Sequence, residues 1–244
     1  MRVLILAAGY GTRLYPLTLN MPKTLISIKG KVLLSHIMER IEDLKKNFKI
    51  TDVIVVSNNK FYKVFLDWKK KYKDNVKIVN DGSNSPTDRL GAIGDIQFIL
   101  RKTEIDDWLI LGSDNFFDWS LVNFVIFSLK KRPFASVGVY DLKDKSKAKH
   151  FGVVKMDRLK RIKAFREKPS KPASPHIAVC VYFFPKESLV YLNRFLKENK
   201  THDAAGKYIE WLVKESTVYG YVFEGRWVDV GHKDSLKTLK KLVN

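Results

Sequence analysis

Apolar positions in the first half of the chain alternate between short continuous runs and longer segments with helical spacing. Four runs are rich in aliphatic residues and have the length of buried strands: Arg2–Ala7, Asp52–Ser57, Val76–Asn80 and Trp108–Gly112. Three longer segments place apolar residues three or four positions apart, which predicts helices: Leu33–Phe48, Lys60–Lys73 and Ala92–Arg101. Strands that alternate with helices predict an α/β fold in which helices cover both faces of a mainly parallel sheet.

The second half contains more strand-like runs, separated by turns. These runs are Phe134–Tyr140, Phe151–Met156, Lys160–Glu167, Ile177–Phe184, Val218–Phe223 and Arg226–Val230. Helical patterns cover Lys186–Lys200, Asp203–Glu215 and a closing lysine-rich segment. We expect a single domain over residues 1–244: a three-layer α/β sandwich with a mixed, mostly parallel sheet, elaborated by a small second portion.

Composition bounds the class of protein. No apolar run approaches the roughly 18 residues that a membrane span requires, so we expect no membrane partner. The single cysteine, Cys180, excludes an internal disulfide and indicates a reducing compartment. We therefore expect a cytoplasmic protein.

The net charge of +19 first suggests nucleic acid as a partner. However, lysines such as Lys45, Lys69 and Lys237 are spread over the faces of predicted helices. They lack the interleaved arginine and aromatic residues of a surface on which bases stack. We therefore expect no nucleic acid, but a solvated basic surface that attracts anionic phosphate substrates.

The first glycine-containing loop is a candidate site for phosphate. Ligands of open α/β sheets lie outside the carboxyl ends of the strands, which here means the loops after Ala7, Asn80 and Gly112. In the first of these loops, Gly9 and Gly11 allow the backbone to approach an anion closely. The loop matches neither a Walker A motif nor a dinucleotide fingerprint. The alternative is a plain strand-to-helix turn with surface cations.

Two aspartates at the ends of predicted strands, Asp114 and Asp229, are candidate metal ligands. Mg²⁺ prefers a few carboxylates together with substrate phosphates, which these two residues could supply. A helix cap for Asp114 and a turn for Asp229 are the structural alternatives. Similarly, neighbouring Glu167 and Lys168 could form an ordinary surface ion pair.

One long string carries a family resemblance. The sequence Leu-Ala-Ala-Gly-Tyr-Gly-Thr-Arg-Leu at residues 6–14, followed by Pro-Lys-Thr-Leu at 22–25, resembles the signature of the sugar-phosphate nucleotidylyltransferases. This is the family of glucose-1-phosphate thymidylyl- and uridylyltransferases. Four further segments match the family in order: Leu111–Asn115, Phe151–Val154, Phe165–Pro169 and Trp227–Gly231. They are similar to the family's Gly-Asp-Asn, Tyr-Gly-Val-Val, Glu-Lys-Pro and Trp-x-Asp-x-Gly elements.

The resemblance implies an activity and its substrates. A hexose 1-phosphate, such as glucose 1-phosphate, would be condensed with dTTP or UTP in the presence of Mg²⁺, giving a nucleotide-activated sugar and pyrophosphate. The nucleotide-binding part would span about residues 1–133 and the sugar-phosphate-binding part about residues 134–244. Homologues often form oligomers, so a homo-oligomer is an expectation as well.

The resemblance also implies roles for individual residues. Arg13 and Lys23 are implied as catalytic, with Arg13 on the β- and γ-phosphates and Lys23 on the α-phosphate and the incoming phosphate. Nucleotide contacts are implied for Leu6, Ala8, Gly9, Gly11, Thr12, Asp81, Gly91 and Asp114. Sugar-phosphate contacts are implied for Gly152, Glu167, Lys168 and Tyr182. Asp114 and Asp229 are implied as the ligands of Mg²⁺.

Two departures from the family pattern leave the substrates open. Ala92 stands where thymidylyltransferases carry the glutamine of a Leu-Ala-Gln element, so thymine and uracil are not distinguished. Val179 and Cys180 replace a Thr-Gly pair beside the sugar, so the sugar is not carried over.

Two other functions remain open from the sequence. One is a cytidylyltransferase that acts on a non-sugar phosphate such as phosphocholine, whose members share the first signature. The other is a non-catalytic, nucleotide-binding regulatory subunit with the same fold, because fold does not establish function.

Overall fold

A computed structural model describes residues 1–70, 76–199 and 203–242. Within these residues the strands are β1 Arg2–Leu6, β2 Ser27–Ile28, β3 Lys31–Val32, β4 Val53–Ser57, β5 Val76–Asn80, β6 Trp108–Gly112, β7 Asn115–Phe117, β8 Ala135–Asp141, β9 Gly152–Met156, β10 Ile162–Glu167, β11 His176–Phe184, β12 Val218–Phe223 and β13 Trp227–Asp229. The α-helices are α1 Leu33–Lys45, α2 Tyr62–Lys69, α3 Gly91–Leu100, α4 Val122–Lys130, α5 Leu189–Glu198, α6 Ala205–Glu215 and α7 Lys233–Leu242.

The chain divides into two compact units that interleave in sequence. The first unit comprises Met1–Gly91, Leu111–Leu121 and Gly225–Asn244. The second unit comprises Ala92–Ile110 and Val122–Glu224. Strand β6 therefore begins in the second unit and ends in the first. Nothing in this division tests the predicted single domain, which stays a prediction.

The first unit is built on parallel strands. β4 pairs in parallel with both β1 and β5, and the end of β6 lies beside β1. All residues of β4 are buried, which explains the continuous aliphatic run of this strand, since a parallel strand is covered on both faces. The carboxyl ends of β1 and β6 are tied together, because Ser113 donates from its backbone N–H to the carbonyl oxygen of Leu6 at 3.2 Å.

A second, smaller pairing in the first unit joins distant parts of the chain. β7 pairs antiparallel with β13, with Trp227 opposite Phe117 and Asp229 opposite Asn115. An apolar cluster includes residues of both strands and of helix α7: Leu14, Ile28, Leu33, Phe116, Val228, Val230, Leu236 and Leu239. Burial of this apolar surface is what stabilises so short a ladder.

The second unit contains a mixed sheet. β8 lies between β11, which is antiparallel to it, and β12, which is parallel. β9 pairs antiparallel with both β10 and β11. The register of β11 against β8 shifts between Ala178 and Tyr182, and Cys180 within that interval has φ +51°. Such a bulge redirects the side chains that follow it.

The predicted α/β class with a mixed, mostly parallel central sheet is confirmed. Most predicted strands and helices occur within a few residues of their expected bounds. The strand predicted from Lys160 starts at Ile162, because residues 157–160 form a turn in which Lys160 donates its N–H to Asp157. The predicted helix from Lys186 begins with a 3₁₀ turn, Lys186–Ser188, and α5 starts at Leu189.

Some predicted positions lie outside the described residues, and some elements were not predicted. The ends of two predicted helices, at 71–73 and at 200, fall outside the described parts of the chain. α4, β7 and the two-residue strands β2 and β3 had no prediction. No helix in the described parts of the chain is long and apolar enough to cross a membrane.

We expect Leu239→Ala to lower the free energy of unfolding by about 2–5 kcal/mol, because Leu239 is fully buried in the cluster that holds β13 and β7. Lys237→Ala on the same helix is the control, since Lys237 pairs only with exposed Asp234 among the contacts described, and we expect a change within about 0.5 kcal/mol. Urea denaturation followed by circular dichroism measures both. Equal effects of the two substitutions would show that α7 does not contribute to the core.

Candidate functional site

The loop after β1 presents open backbone at its first glycine. Gly9 is exposed, and a Cβ at this position would meet nothing within 4 Å. Gly11 has φ +65°, and its carbonyl oxygen accepts a hydrogen bond from Thr18 Oγ1 at 2.7 Å. A Cβ at Gly11 would lie 3.1 Å from Thr18 Cγ2, so both backbone conformation and space favour glycine there. A phosphate could therefore approach the chain at Gly9 while Gly11 fixes the turn.

A buried asparagine holds this loop, and the sequence analysis did not identify it. Asn58 is fully buried and donates from Nδ2 to the carbonyl oxygen of Ala8 at 2.8 Å. Its Oδ1 accepts the N–H of Phe61 at 3.0 Å. Asn58 thus connects the loop to the start of α2. The available signal was a polar residue directly after a fully buried strand.

Asp114 lies at the carboxyl end of β6 and forms an ion pair with Lys23. Lys23 Nζ donates to Asp114 Oδ2 at 2.5 Å, while Asn115 Nδ2 donates to Asp114 Oδ1 at 3.0 Å. Ser113, the residue before, donates from Oγ to the carbonyl oxygen of Leu6 at 2.5 Å, which fixes the chain at this point. Two residues predicted from separate motifs, Lys23 and Asp114, are therefore in direct contact.

The charge of Asp114 is stabilised by its neighbours. Burial by itself raises the pKa of the Asp114 carboxyl, but the charge and hydrogen bond of Lys23, with a further contribution from Arg13, hold that pKa below its usual value. The carboxylate is therefore ionised at neutral pH. A metal cation would meet an anionic oxygen ligand that a lysine already neutralises.

The pairing of β7 with β13 places Asp229 beside Asp114. Val230 donates its N–H to the carbonyl oxygen of Asp114 at 2.8 Å, and Asp229 faces Asn115 across the ladder. Trp227 Nε1 donates to Asn115 Oδ1 at 2.8 Å, so the asparagine bridges the tryptophan and the first aspartate. Two aspartates that are distant in sequence are thus neighbours in the first unit. Neither Asn115 nor Trp227 had been assigned a role.

The Arg13 side chain lies close to the segment that contains Asp229. Its Nη1 lies 3.2 Å from Nε2 of His232, which directly follows the Trp-x-Asp-x-Gly segment. The Arg13 side chain is otherwise exposed. The first unit therefore gathers four predicted residues in one neighbourhood: Arg13, Lys23, Asp114 and Asp229.

Asp81 and Gly91 lie at the two ends of the segment between β5 and α3. The Asp81 carboxylate is buried and accepts hydrogen bonds from both the N–H and Oγ of Ser83, at 2.7 Å and 2.8 Å to Oδ1. These bonds stabilise the turn that Gly82 makes with φ +85°. Gly91, with φ +77°, begins α3. For Asp81 the geometry favours a structural role in the loop.

In the second unit, Glu167 at the end of β10 is a buried carboxylate. Its side chain is 12% exposed, whereas that of Lys168 is 63% exposed, and Lys168 Nζ lies 3.7 Å from Glu167 Oε1. Burial raises the pKa of Glu167, and the nearby charges of Lys168 and Lys207 only partly offset this effect. An ordinary surface ion pair does not account for this arrangement.

Lys168 and Tyr182 differ in their exposure. Lys168 has φ +48°, an uncommon conformation for a residue with a side chain, and donates its N–H to the carbonyl oxygen of Phe151 at 3.0 Å. Strained backbone of this kind is frequent at functional sites. Tyr182 is 3% exposed and its ring stacks on Phe184 at 5.9 Å. Its position supports packing within the unit more directly than contact with a ligand.

The donor set around Asp114 suits a magnesium ion that is shared with substrate. The two aspartates supply hard carboxylate oxygens, and the Asp114 carboxylate is ionised. No group of three or more histidine, cysteine, aspartate or glutamate residues in the described parts of the chain forms a complete metal cage. Mg²⁺ is commonly bound by one or two carboxylates together with substrate phosphates and water, so the residues present fit this ion.

Comparisons with known proteins bear on the family and the fold of this chain. A bifunctional protein GlmU from Methanocaldococcus jannaschii is 29% identical to this chain in a match that covers 100% of this chain. A mannose-1-phosphate guanyltransferase from Hypocrea jecorina is 28% identical over 97% of the chain. A solved structure from Bacillus anthracis, described as a glucose-1-phosphate thymidylyltransferase in complex with sucrose, matches with a TM-score of 0.84 and 19% identity. It covers 99% of this chain and 94% of that one.

The extent of these matches differs between proteins. The chain spans only 55% of the GlmU protein and 62% of the guanyltransferase. The Bacillus anthracis structure supports the fold. The family model described as nucleotidyl transferase matches residues 2–244, and the chain belongs to the nucleotidyl transferase family.

Proposed function

We propose that this chain is a sugar-1-phosphate nucleotidyltransferase, which joins a sugar 1-phosphate to a nucleoside triphosphate and releases pyrophosphate. The observation that carries the proposal is the neighbourhood of Asp114, Asp229, Lys23 and Arg13 in the first unit. Two cations and two carboxylates next to open backbone at Gly9 are what a triphosphate and a divalent cation require.

The proposed reaction needs positioning and charge neutralisation. An oxygen of the sugar phosphate, already anionic, attacks the α-phosphorus of the triphosphate. The new P–O bond forms as the bond to the β-phosphate oxygen breaks, and pyrophosphate leaves in line. Arg13 is proposed to stabilise the charge that grows on the β- and γ-phosphates, and Lys23 to hold the α-phosphate and the incoming phosphate. Asp114 and Asp229 would hold Mg²⁺, which supplies further positive charge to the nucleotide phosphates.

The second unit supplies the proposed sugar-phosphate contacts. Lys168, with its exposed side chain, is proposed to bind the phosphate, and the Glu167 carboxylate to accept hydrogen bonds from sugar hydroxyls. Lys168 Nζ is 3.7 Å from only one oxygen of this carboxylate, which leaves lone pairs for such donors. Phe165 and Glu167 fill the space that a side chain at Gly152 would need, so this glycine leaves room for the Glu167 carboxylate.

The proposed substrates are a hexose 1-phosphate, such as glucose 1-phosphate, with dTTP or UTP. The resemblance to thymidylyl- and uridylyltransferases supports this choice. The main competing pair is mannose 1-phosphate with GTP, because the fungal relative is a mannose-1-phosphate guanyltransferase. A homo-oligomer and a cytoplasmic location stay predictions.

The function is tested by pyrophosphate release from UTP, dTTP, GTP, CTP and ATP with glucose, mannose and N-acetylglucosamine 1-phosphates and phosphocholine. We expect turnover that requires Mg²⁺, and a loss of about 10²–10³-fold in Asp114→Asn and in Asp229→Asn. Asp234→Asn is the control, because Asp234 is almost fully exposed on α7, and it should retain full activity. Folded protein that binds nucleotide and turns over no pair would exclude catalysis. Turnover with CTP and phosphocholine alone would replace the sugar assignment.

We expect Lys23→Met to increase the affinity for Mn²⁺, a probe for Mg²⁺, by roughly tenfold in the absence of nucleotide. The reason is that Lys23 neutralises the Asp114 carboxylate that a cation must reach. Electron paramagnetic resonance of free Mn²⁺ measures the affinity without turnover. Lys31→Met, which removes a lysine paired with Glu39, should leave it unchanged. If Lys23→Met binds Mn²⁺ no better than the wild type, Lys23 does not compete for this carboxylate.

We expect Glu167→Gln to raise the melting temperature at pH 7 and to raise it less at pH 4. The pKa of Glu167 is raised on folding, so its ionised form destabilises the protein above that pKa, and the cost vanishes below the pKa of the unfolded chain. The melting temperature of a domain of this size changes by about 2–4 °C for each kcal/mol of stability.

Glu210→Gln is a matched control of opposite sign. Glu210 is also mostly buried, but hydrogen bonds from Lys207 and Arg166 outweigh its burial and lower its pKa. Its ionised form therefore stabilises the protein at pH 7, and this contribution is lost as the pH falls through the lowered pKa. The two variants should thus shift the melting temperature in opposite directions at pH 7. A shift in the same direction would contradict the assignment.

A further inference from the structure

The carboxylate of Glu167 is enclosed by two glycines from different elements of the second unit. A Cβ built at Gly206, in the first turn of α6, would overlap Glu167 Oε2 and lie 2.6 Å from its Cδ. A Cβ built at Gly152, at the start of β9, would lie 3.1 Å from the same oxygen. The carboxylate therefore occupies the space that a side chain at Gly206 would fill, and it borders the space at Gly152, whose nearest occupant is the ring of Phe165.

Gly206 is not required by the backbone. The residues with positive φ in the described chain do not include it, and it lies within helix α6. Glycine inside a helix is less favourable than alanine, because it loses more conformational freedom on folding. A glycine at such a place calls for a packing or functional reason. The contact with Glu167 supplies that reason.

Space, more than hydrogen bonding, fixes the Glu167 side chain. Its ion-pair partner among the described residues is Lys168, at the long distance of 3.7 Å. The neighbouring carboxylate of Glu210 is held by Lys207 and Arg166. The two oxygens of Glu167 are thus placed by packing against α6 and remain able to accept hydrogen bonds from a ligand.

We infer that Gly206 is a positioning residue for the sugar-phosphate substrate, which acts through the carboxylate of Glu167. This inference rests on the proposed function. Gly206 itself lies outside the segments that resemble the family. Any side chain at position 206 moves the carboxylate away from the place where sugar hydroxyls meet it.

The test is Gly206→Ala in two backgrounds. In the otherwise wild-type chain, which has Glu167, we expect the KM for the sugar 1-phosphate to rise about tenfold. The KM for the nucleoside triphosphate should change less than about twofold. In the Glu167→Asp background, where the shorter side chain withdraws from position 206, Gly206→Ala should cost less than about twofold in the KM for the sugar 1-phosphate. Equal costs in both backgrounds would overturn the inference, as would an unchanged KM in the Glu167 background.

Melting temperatures test the same contact without turnover. Gly206→Ala should lower the melting temperature in the Glu167 background and raise it in Glu167→Ala, where the space is vacant and alanine favours the helix. Gly220→Ala is the control, because a Cβ there meets the flexible end of Met156, and the KM for the sugar 1-phosphate should stay unchanged. No turnover in the wild type would count against the proposed function. The melting temperatures alone would then decide whether Gly206 positions the carboxylate, and a uniform shift in both backgrounds would reject it.

Discussion

The pairing of β7 with β13 is the constraint on which the candidate site of the first unit depends. This ladder has only three residues on each strand, yet it brings Asp229 opposite Asn115 and ties Val230 to Asp114. Hydrogen bonds alone contribute little net stability, so the ladder needs the buried cluster around Phe116 and Leu239 to persist. The apolar face of α7 therefore has a functional consequence, because the cluster holds the backbone segments that carry Asp114 and Asp229 side by side.

Two adjacent carboxylates repel each other unless a cation lies between or beside them. Lys23 serves that purpose for Asp114 and is itself mostly buried, so the protein without nucleotide keeps this part of the site electrically balanced. The same lysine is proposed to contact phosphate. It would be able to do so if Mg²⁺ took its place at the carboxylate, which would link the binding of the metal to that of the nucleotide. The balance of charge, more than any single contact, defines this site.

The sequence predicted the parallel strands well, because buried parallel strands are continuous aliphatic runs such as Val53–Ser57. It gave no prediction for α4, whose residues are largely aromatic and β-branched and favour strands by propensity, whereas packing in the second unit makes them helical. β7 is too short for any periodicity to show. Motifs indicated Asp114, Asp229 and Glu167. Asn58 had only a weak signal, its place directly after a buried strand, because it acts on the backbone carbonyl of Ala8, which is distant in sequence. Gly206 had none, because it matters through the space that it leaves for Glu167.

Two carboxylates with proposed roles, Asp114 in the first unit and Glu167 in the second, are held by different means. Asp114 is held by charge, through Lys23, and a charge contact can be exchanged for another cation at little cost. Glu167 is held by space, between Gly152 and Gly206, and a packing contact does not exchange. This difference matches the tasks proposed for them: Asp114 would exchange Lys23 for Mg²⁺ when the ion binds, whereas an acceptor that selects among sugar hydroxyls must stay in place. A glycine in a helix and a buried glutamate whose pKa is raised by burial both lower stability, and that need for a fixed position accounts for their presence together.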